Sequence, residues 1–109
     1  MTRIERTIIA LKQRLGRLGP MLPGSLNEQW NVCGTPGCRC KDPHHPAKHG
    51  PYYQVSFAIQ GRSSTLFVKK GDVKEVRRRL DRCRRFKALA LALAQAYVDL
   101  ARAQGFTRS

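Results

Sequence analysis

The sequence predicts an α+β fold in which an N-terminal helix, a zinc knuckle, a two-stranded β-hairpin and a long C-terminal helix follow one another. Apolar residues recur at helical spacing near the start and again after residue 72, and they alternate at strand spacing after residue 51. Three cysteines and three histidines lie between these regions. A chain of 109 residues is expected to form a single domain, 1–109, with a modest core.

The first helix is predicted over residues 2–18. Thr2 and Glu5 have the spacing of a capping box, and Gly19-Pro20 ends the apolar stripe that follows. After a connector, residues 25–30 are interpreted as a short capped turn with Ser25 as N-cap, and Trp30 is expected in the core beside the cysteines. The stripe itself consists of Ile4, Ile8, Leu11, Leu15 and Leu18.

The hairpin is predicted over residues 52–69. Its first strand places one apolar set of side chains on a single face, and a second β-type run, 63–69, follows the turn signal Gln60-Gly61. The long helix is predicted over residues 72–104, with Asp72 as N-cap and Gly105 as the residue that stops it. The apolar face of the first strand comprises Tyr53, Val55, Phe57 and Ile59.

Residues 31–51 are rich in Gly, Pro, Cys and His, which is too polar a composition to fold around an apolar core. Three thiolates need one further ligand to complete the tetrahedron that zinc prefers. His49 is the chosen ligand because it directly precedes the first strand, and His45 is the alternative. Four protein ligands leave no open position for water, so the zinc is expected to be structural. The thiolate ligands are Cys33, Cys38 and Cys40.

Three stretches of this chain form a distinctive pattern. They read Gly24-Ser25-Leu26-x-Glu28-Gln29-Trp30, Cys33-Gly34-x-Pro36-Gly37-Cys38-Arg39-Cys40 and His49-Gly50-Pro51-Tyr52-Tyr53. Together they resemble a family of short uncharacterised bacterial proteins that often accompany mobile elements, and the resemblance spans about residues 24–90. It implies a cysteine cluster, a hairpin and a C-terminal helix, with Cys33, Cys38, Cys40 and His49 as the ligand set, and it implies no established activity.

The charge balance indicates a polyanionic partner. Lys and Arg total 21 against 7 Asp and Glu, which gives a net charge of +14. Guanidinium groups bind phosphate oxygens in pairs, and the first half of the long helix is nearly all positive. We therefore expect nucleic acid, with duplex DNA favoured over RNA, to be bound through phosphates. The candidate contacts are Arg62, Lys69, Lys70, Lys74, Arg77, Arg78, Arg82 and Arg85.

The second half of the long helix is apolar around almost its full circumference, which predicts burial. Residues 86–101 are therefore expected to meet a second copy or a larger protein, and an adaptor for a nucleoprotein enzyme is the alternative function. Few acids are present to serve a catalytic metal, so no enzymatic activity is expected. No secretory signal or apolar membrane span is visible, which predicts a cytoplasmic protein without a membrane partner.

Overall fold

The computed structural model of the protein describes residues 1–106, and its contacts divide the chain into two compact units. The helical unit combines Met1–Leu22 with the chain from Arg79 onward, and the sheet unit consists of residues 23–78. Helices and an antiparallel sheet together confirm the predicted α+β class. The elements are α1 (Arg3–Gly16), β1 (Ser25–Asn31), β2 (His49–Ile59), β3 (Arg62–Val68) and α2 (Val73–Gln104).

Helix α1 begins at the predicted capping box. The backbone N–H of Glu5 donates to the Thr2 hydroxyl at 3.1 Å, and the Thr2 N–H donates to the Glu5 carboxylate at 3.0 Å. These two bonds satisfy backbone donors that the first turn of any helix leaves without a partner. The helix ends at Gly16, slightly before the predicted boundary.

The apolar stripe of α1 forms the core of the helical unit with the second half of α2. Ile8 and Leu11 are buried together with Leu89 and Ala96. Residues three or four apart on a helix lie on one face, so the three-residue spacing of Ile8 and Leu11 turns both side chains toward α2. Half-buried side chains extend the cluster at Ile4, Leu15, Leu18, Leu93 and Leu100.

The sheet unit contains a three-stranded antiparallel sheet in the order β1-β2-β3. Leu26 pairs with Val55, and Val55 pairs with Leu66, so the central strand lies between two partners. The predicted hairpin is present, but the prediction of only two strands is wrong. The third strand is Ser25–Asn31, where a capped turn starting at Ser25 was expected.

The missed strand has little apolar alternation, so its sequence lacked the usual signal for a β-strand. Its conformation is fixed by backbone pairing with β2 rather than by side-chain pattern. Trp30, which was expected in the core, is 51% exposed on this strand. The expectation for Trp30 was therefore wrong, because β1 is an edge strand with a largely exposed end.

Gly24, directly before β1, can be tested by substitution. Its φ of +94° lies in the left-handed region, and a Cβ there would overlap the Ser56 carbonyl oxygen and lie 2.8 Å from the Phe57 Cβ. We expect Gly24→Ala to lower the free energy of unfolding by about 1–3 kcal/mol. Urea denaturation measures this change. Gly71→Ala is the control because a Cβ at Gly71 meets nothing within 4 Å, and equal midpoints for the two variants would contradict the expectation.

Helix α2 begins at Val73, after a 3₁₀ turn over Lys70–Asp72. Asp72 lies inside that turn, so its prediction as the N-cap of the helix was wrong. Gly105 ends the helix as predicted, with a φ of +73° and its N–H donating to the Ala101 carbonyl at 2.7 Å. Within residues 1–106, no helix has both the length and the apolar character that crossing a bilayer requires.

Candidate metal centre

Residues 32–48 form a long connection between two neighbouring strands. Asn31, at the end of β1, pairs with His49, at the start of β2, so the two ends of the connection are side by side. The strand β2 therefore begins at His49, three residues earlier than predicted. Connections of this length without much regular structure are uncommon unless something orders them.

Four side chains of the sheet unit converge inside this connection. The sulfur atoms of Cys33, Cys38 and Cys40 and a ring nitrogen of His49 all lie within 4.8 Å of one another. The Cys33 and Cys40 sulfurs are 3.5 Å apart, and the Cys38 sulfur is 3.2 Å from His49 Nε2. Three thiols and an imidazole at these distances form a group that can hold a metal ion.

The surrounding backbone directs the thiols inward. Gly37 has a φ of +76°, which a glycine adopts without strain, and the 3₁₀ turn Arg39–Lys41 carries Cys40. Cys40 is only 1% exposed, and its sulfur accepts the N–H of Cys33 at 3.3 Å. The Ala47 N–H donates to the Arg39 carbonyl at 2.9 Å and closes the loop behind the cluster. Cys40 is therefore the most enclosed of the four candidate ligands.

Gly50 lets β1 approach the first residues of β2. Its φ is +143°, and a Cβ at this position would lie 2.8 Å from the Gln29 carbonyl oxygen and 3.2 Å from the Trp30 ring. The pairing of β1 and β2 is irregular at this point, between Gln29 and Asn31. A larger residue would push the strands apart where His49 is positioned beside the end of β1.

The ionisation of the cluster suits a cation. The backbone hydrogen bond from Thr35 lowers the pKa of the Cys33 thiol to about 6, and one from Cys40 lowers the pKa of Cys38. Burial raises the pKa of Cys40, and hydrogen bonding to Cys33 and Cys38 raises the pKa of His49. Negative charge thus collects on two sulfurs beside a ring that favours its protonated form. A bound metal ion would take the place of these protons.

The two other histidines of the loop lie outside this group. The Asp42 carboxylate accepts the backbone N–H groups of His44 at 2.9 Å and His45 at 3.2 Å, which also lowers the pKa of Asp42. Both histidine side chains are exposed. Of the two ligands that the sequence left open, the structure brings His49 to the thiols and leaves His45 in an Asp42-centred turn. Cys83 is also outside the cluster and is buried on α2.

Residues 1–78 match a protein family described as a domain of unknown function, DUF6788. The chain belongs to the DUF6788 family. The DUF6788 match covers α1, the whole Cys–His cluster, the sheet and the start of α2. It thus includes the first helix, which lay outside the resemblance found in the sequence. Neither the curated proteins nor the solved structures contain a match to this DUF6788 chain.

The predicted phosphate contacts of this DUF6788 chain are exposed except at one position. Arg82 is half-buried, and its Nη1 donates to the Pro20 carbonyl at 3.0 Å. Arg78 lies 3.6 Å from Glu75, and Arg85 lies 3.3 Å from Asp81. The exposed predicted residues are Arg62, Lys69, Lys70, Lys74, Arg77, Arg78 and Arg85.

Proposed function

We propose that this protein is a zinc-stabilised, non-catalytic nucleic-acid-binding protein that contacts phosphates through its Arg-rich helix. In this proposal it acts as an accessory factor in a nucleoprotein assembly, and duplex DNA is its favoured ligand. The observation that carries the proposal is a run of exposed cations leading into and along the start of α2, in the same compact unit as the Cys–His cluster.

Zinc is the metal that fits the cluster best. Thiolate and imidazole are its preferred structural ligands, at about 2.3 Å for sulfur and about 2.0–2.1 Å for nitrogen. A tetrahedron with these bond lengths has edges of roughly 3.8 Å between sulfurs and roughly 3.6 Å between sulfur and nitrogen. The separations of 3.5 Å for Cys33–Cys40 and 3.2 Å for Cys38–His49 are slightly shorter than these edges, and all four ligand atoms lie within 4.8 Å of one another, so closing around the ion needs shifts of roughly 1 Å or less.

A structural role for the zinc follows from the number and position of its ligands. Cys33 and His49 lie at the two ends of the connection between β1 and β2, and Cys38 and Cys40 lie within it. One ion would therefore fix both the strand ends and the loop. Four protein ligands leave no coordination position for a water or a substrate, which favours a non-catalytic site.

The basic segment, residues 69–78, would supply the phosphate contacts. Its five cations are all exposed, whereas its acids are only Asp72 and Glu75. The contact between Arg78 and Glu75 is a surface ion pair at 3.6 Å, which contributes little and is screened by salt. A polyanion would relieve the repulsion among neighbouring cations. The cations are Lys69, Lys70, Lys74, Arg77 and Arg78.

Salt dependence of binding tests this proposal. We expect the affinity for a short DNA duplex to fall steeply with salt, with a log–log slope near −0.9 for each phosphate contact. An RNA duplex of the same sequence, titrated under the same conditions, is expected to bind more weakly. Fluorescence anisotropy with end-labelled duplexes provides both measurements. An affinity that stays flat between low and high salt would contradict phosphate-driven binding.

An adaptor is the second candidate function, and exposed apolar side chains on the second half of α2 favour it. Leu91 is 73% exposed, and Phe86 and Val98 are each more than two-fifths exposed. Within the described chain α1 covers one face of the second half of α2, and the open face is where the sequence predicts a second copy or a larger protein. Such a surface suits a second copy of this chain or a larger protein.

Solution mass distinguishes the two candidate functions. As an adaptor, the protein would self-associate or bind a protein partner through residues 86–101 and bind nucleic acid only weakly alone. Leu91→Glu would then abolish the assembly and leave the weak nucleic-acid binding unchanged. Multi-angle light scattering of the wild-type protein and this variant provides the measurement, and a wild-type monomer would count against self-association.

The cellular setting of the proposal is a reducing compartment. All four cysteines are present as free thiols, and thiolate metal sites are typical of reducing environments such as the cytoplasm. The resemblance noted above also makes association with a mobile element part of the proposal, with the protein assisting an enzyme of that element on its DNA.

A further inference from the structure

The open face of the three-stranded sheet carries two aromatic rings that the phosphate-binding proposal does not use. Phe67, on β3, is 75% exposed, and Tyr52, on β2, is 39% exposed. Their ring centroids are 6.5 Å apart with an interplanar angle of 53°. Large aromatic rings that a regular sheet leaves exposed to solvent indicate a surface that contacts a ligand or partner.

Strand register defines what else lies on this face. Gln54 pairs with Phe67 on one side and with Asn27 on the other, and cross-strand partners point to the same side of a sheet. The Asn27 amide donates to the Ser56 hydroxyl at 2.9 Å, which confirms that neighbouring strands share the face. The positions of this face on the three strands are Ser25, Asn27, Gln29, Tyr52, Gln54, Ser56, Ala58, Ser63, Thr65 and Phe67.

The composition of this face matches the chemistry of nucleobases. Aromatic rings stack on bases, and amide and hydroxyl side chains donate to and accept from base edges. None of the ten positions is a carboxylate, so nothing on the face repels phosphate. Lys69 follows Phe67 by two residues and begins the basic segment of the same compact unit. A strand whose bases stack on the rings can therefore continue with its phosphates toward exposed cations.

We propose that the sheet face around Tyr52 and Phe67 binds unpaired bases, so that the ligand of this protein contains a single-stranded nucleic-acid segment. This inference rests on the proposed phosphate binding and adds a ligand class to it. The Phe67 ring supplies the main stacking surface, and the Tyr52 ring, tilted beside it, flanks the base. Sequence analysis missed Phe67 because strand alternation alone does not reveal which face of a sheet stays open.

An abasic oligonucleotide provides the test, because it keeps the phosphates and removes the bases. We expect the wild-type protein to bind an oligonucleotide of about 15 thymidines roughly 5- to 100-fold more tightly than an abasic strand of equal length. Phe67→Leu should abolish most of this preference without changing the affinity for the abasic strand. Phe67→Trp, which keeps a stacking ring, should retain it. Both substitutions are at an exposed position, so the fold is expected to tolerate them.

Phe106→Leu is the matched control, because Phe106 is 92% exposed in the helical unit, and it should leave the thymidine preference unchanged. Equal wild-type affinity for both strands, or a preference that survives Phe67→Leu, overturns the stacking proposal. If the rings dock a protein instead, Phe67→Leu leaves both affinities unchanged, which also overturns it. Failure of the phosphate proposal is distinct, because neither strand would then bind with a salt-dependent affinity.

Discussion

Cys40→Ser is expected to abolish stoichiometric zinc binding and to disorder the loop 32–48. Cys40 is the most enclosed of the four candidate ligands, and its sulfur lies 3.5 Å from that of Cys33 and accepts the Cys33 backbone N–H. A serine hydroxyl is a poor zinc ligand at neutral pH. Substitution of residues that only support a metal's ligands lowers metal affinity by about 10- to 100-fold, so loss of a ligand itself should lower it by more than about 100-fold. Competition with a chromogenic chelator measures the affinity, and amide hydrogen exchange measures the order of the loop.

Control substitutions distinguish the loss of a metal ligand from a general loss of folding stability. Cys83→Ala removes a buried thiol outside the cluster and should leave the metal stoichiometry at one. His49→Ala should weaken zinc binding strongly, whereas His45→Ala should not, because the His45 side chain is exposed in the Asp42 turn. If His45→Ala released the metal and His49→Ala did not, the proposed ligand set would be wrong.

Chelation should act on the wild-type protein as Cys40→Ser does. Removal of the ion leaves the acidic thiols beside His49 without the metal bonds that would join all four ligands. Because the ion would join both ends of the connection, the loop should lose protection from hydrogen exchange and the β1–β2 pairing should weaken near Asn31. Helix α1 lies in the other compact unit, and its exchange rates provide the internal reference.

Replacing Lys74, Arg77 and Arg78 together with alanine should weaken DNA binding on the order of 100-fold at about 0.1 M salt. The log–log salt slope should become shallower by about 2.7, which corresponds to three lost phosphate contacts. Alanine is the best helix former, and all three side chains are exposed at the start of α2, so the helix should persist. Anisotropy titrations at several salt concentrations give the affinity and the slope together.

The control for this triple variant removes the same charge elsewhere. Arg3, Arg6 and Arg102 are exposed cations of the helical unit. Their joint replacement with alanine lowers the net charge equally but spares the basic segment. If both triple variants shift the slope by the same amount, binding reflects overall charge, and the assignment to residues 69–78 is wrong.

The elements with strong periodic signals were predictable from the sequence. Helix α1 combined a capping box with an apolar stripe, and the β2–β3 hairpin combined strict alternation with a Gly61 turn. The grouping of Cys33, Cys38, Cys40 and His49 followed from ligand density and from the position of His49 beside a strand. These features are local, and local pattern suffices where the chain itself sets the geometry.

Features that depend on distant partners were not predictable. Strand β1 forms because β2 offers it a pairing edge, and this is also why Trp30 is exposed instead of buried. Arg82 was predicted as a phosphate contact, and the hydrogen bond from its guanidinium to the Pro20 carbonyl depends on the connector after α1, which the sequence pattern does not place. The open aromatic face at Phe67 likewise becomes visible only once the three strands are placed in register.

X-ray absorption at the zinc edge of the purified, metal-loaded protein tests the central proposal most directly. A first shell of three sulfurs at about 2.3 Å and one nitrogen at about 2.0–2.1 Å, with one zinc per chain, is the expected result. A shell of oxygen and nitrogen without sulfur, or a folded protein that retains no zinc after dialysis, would contradict it.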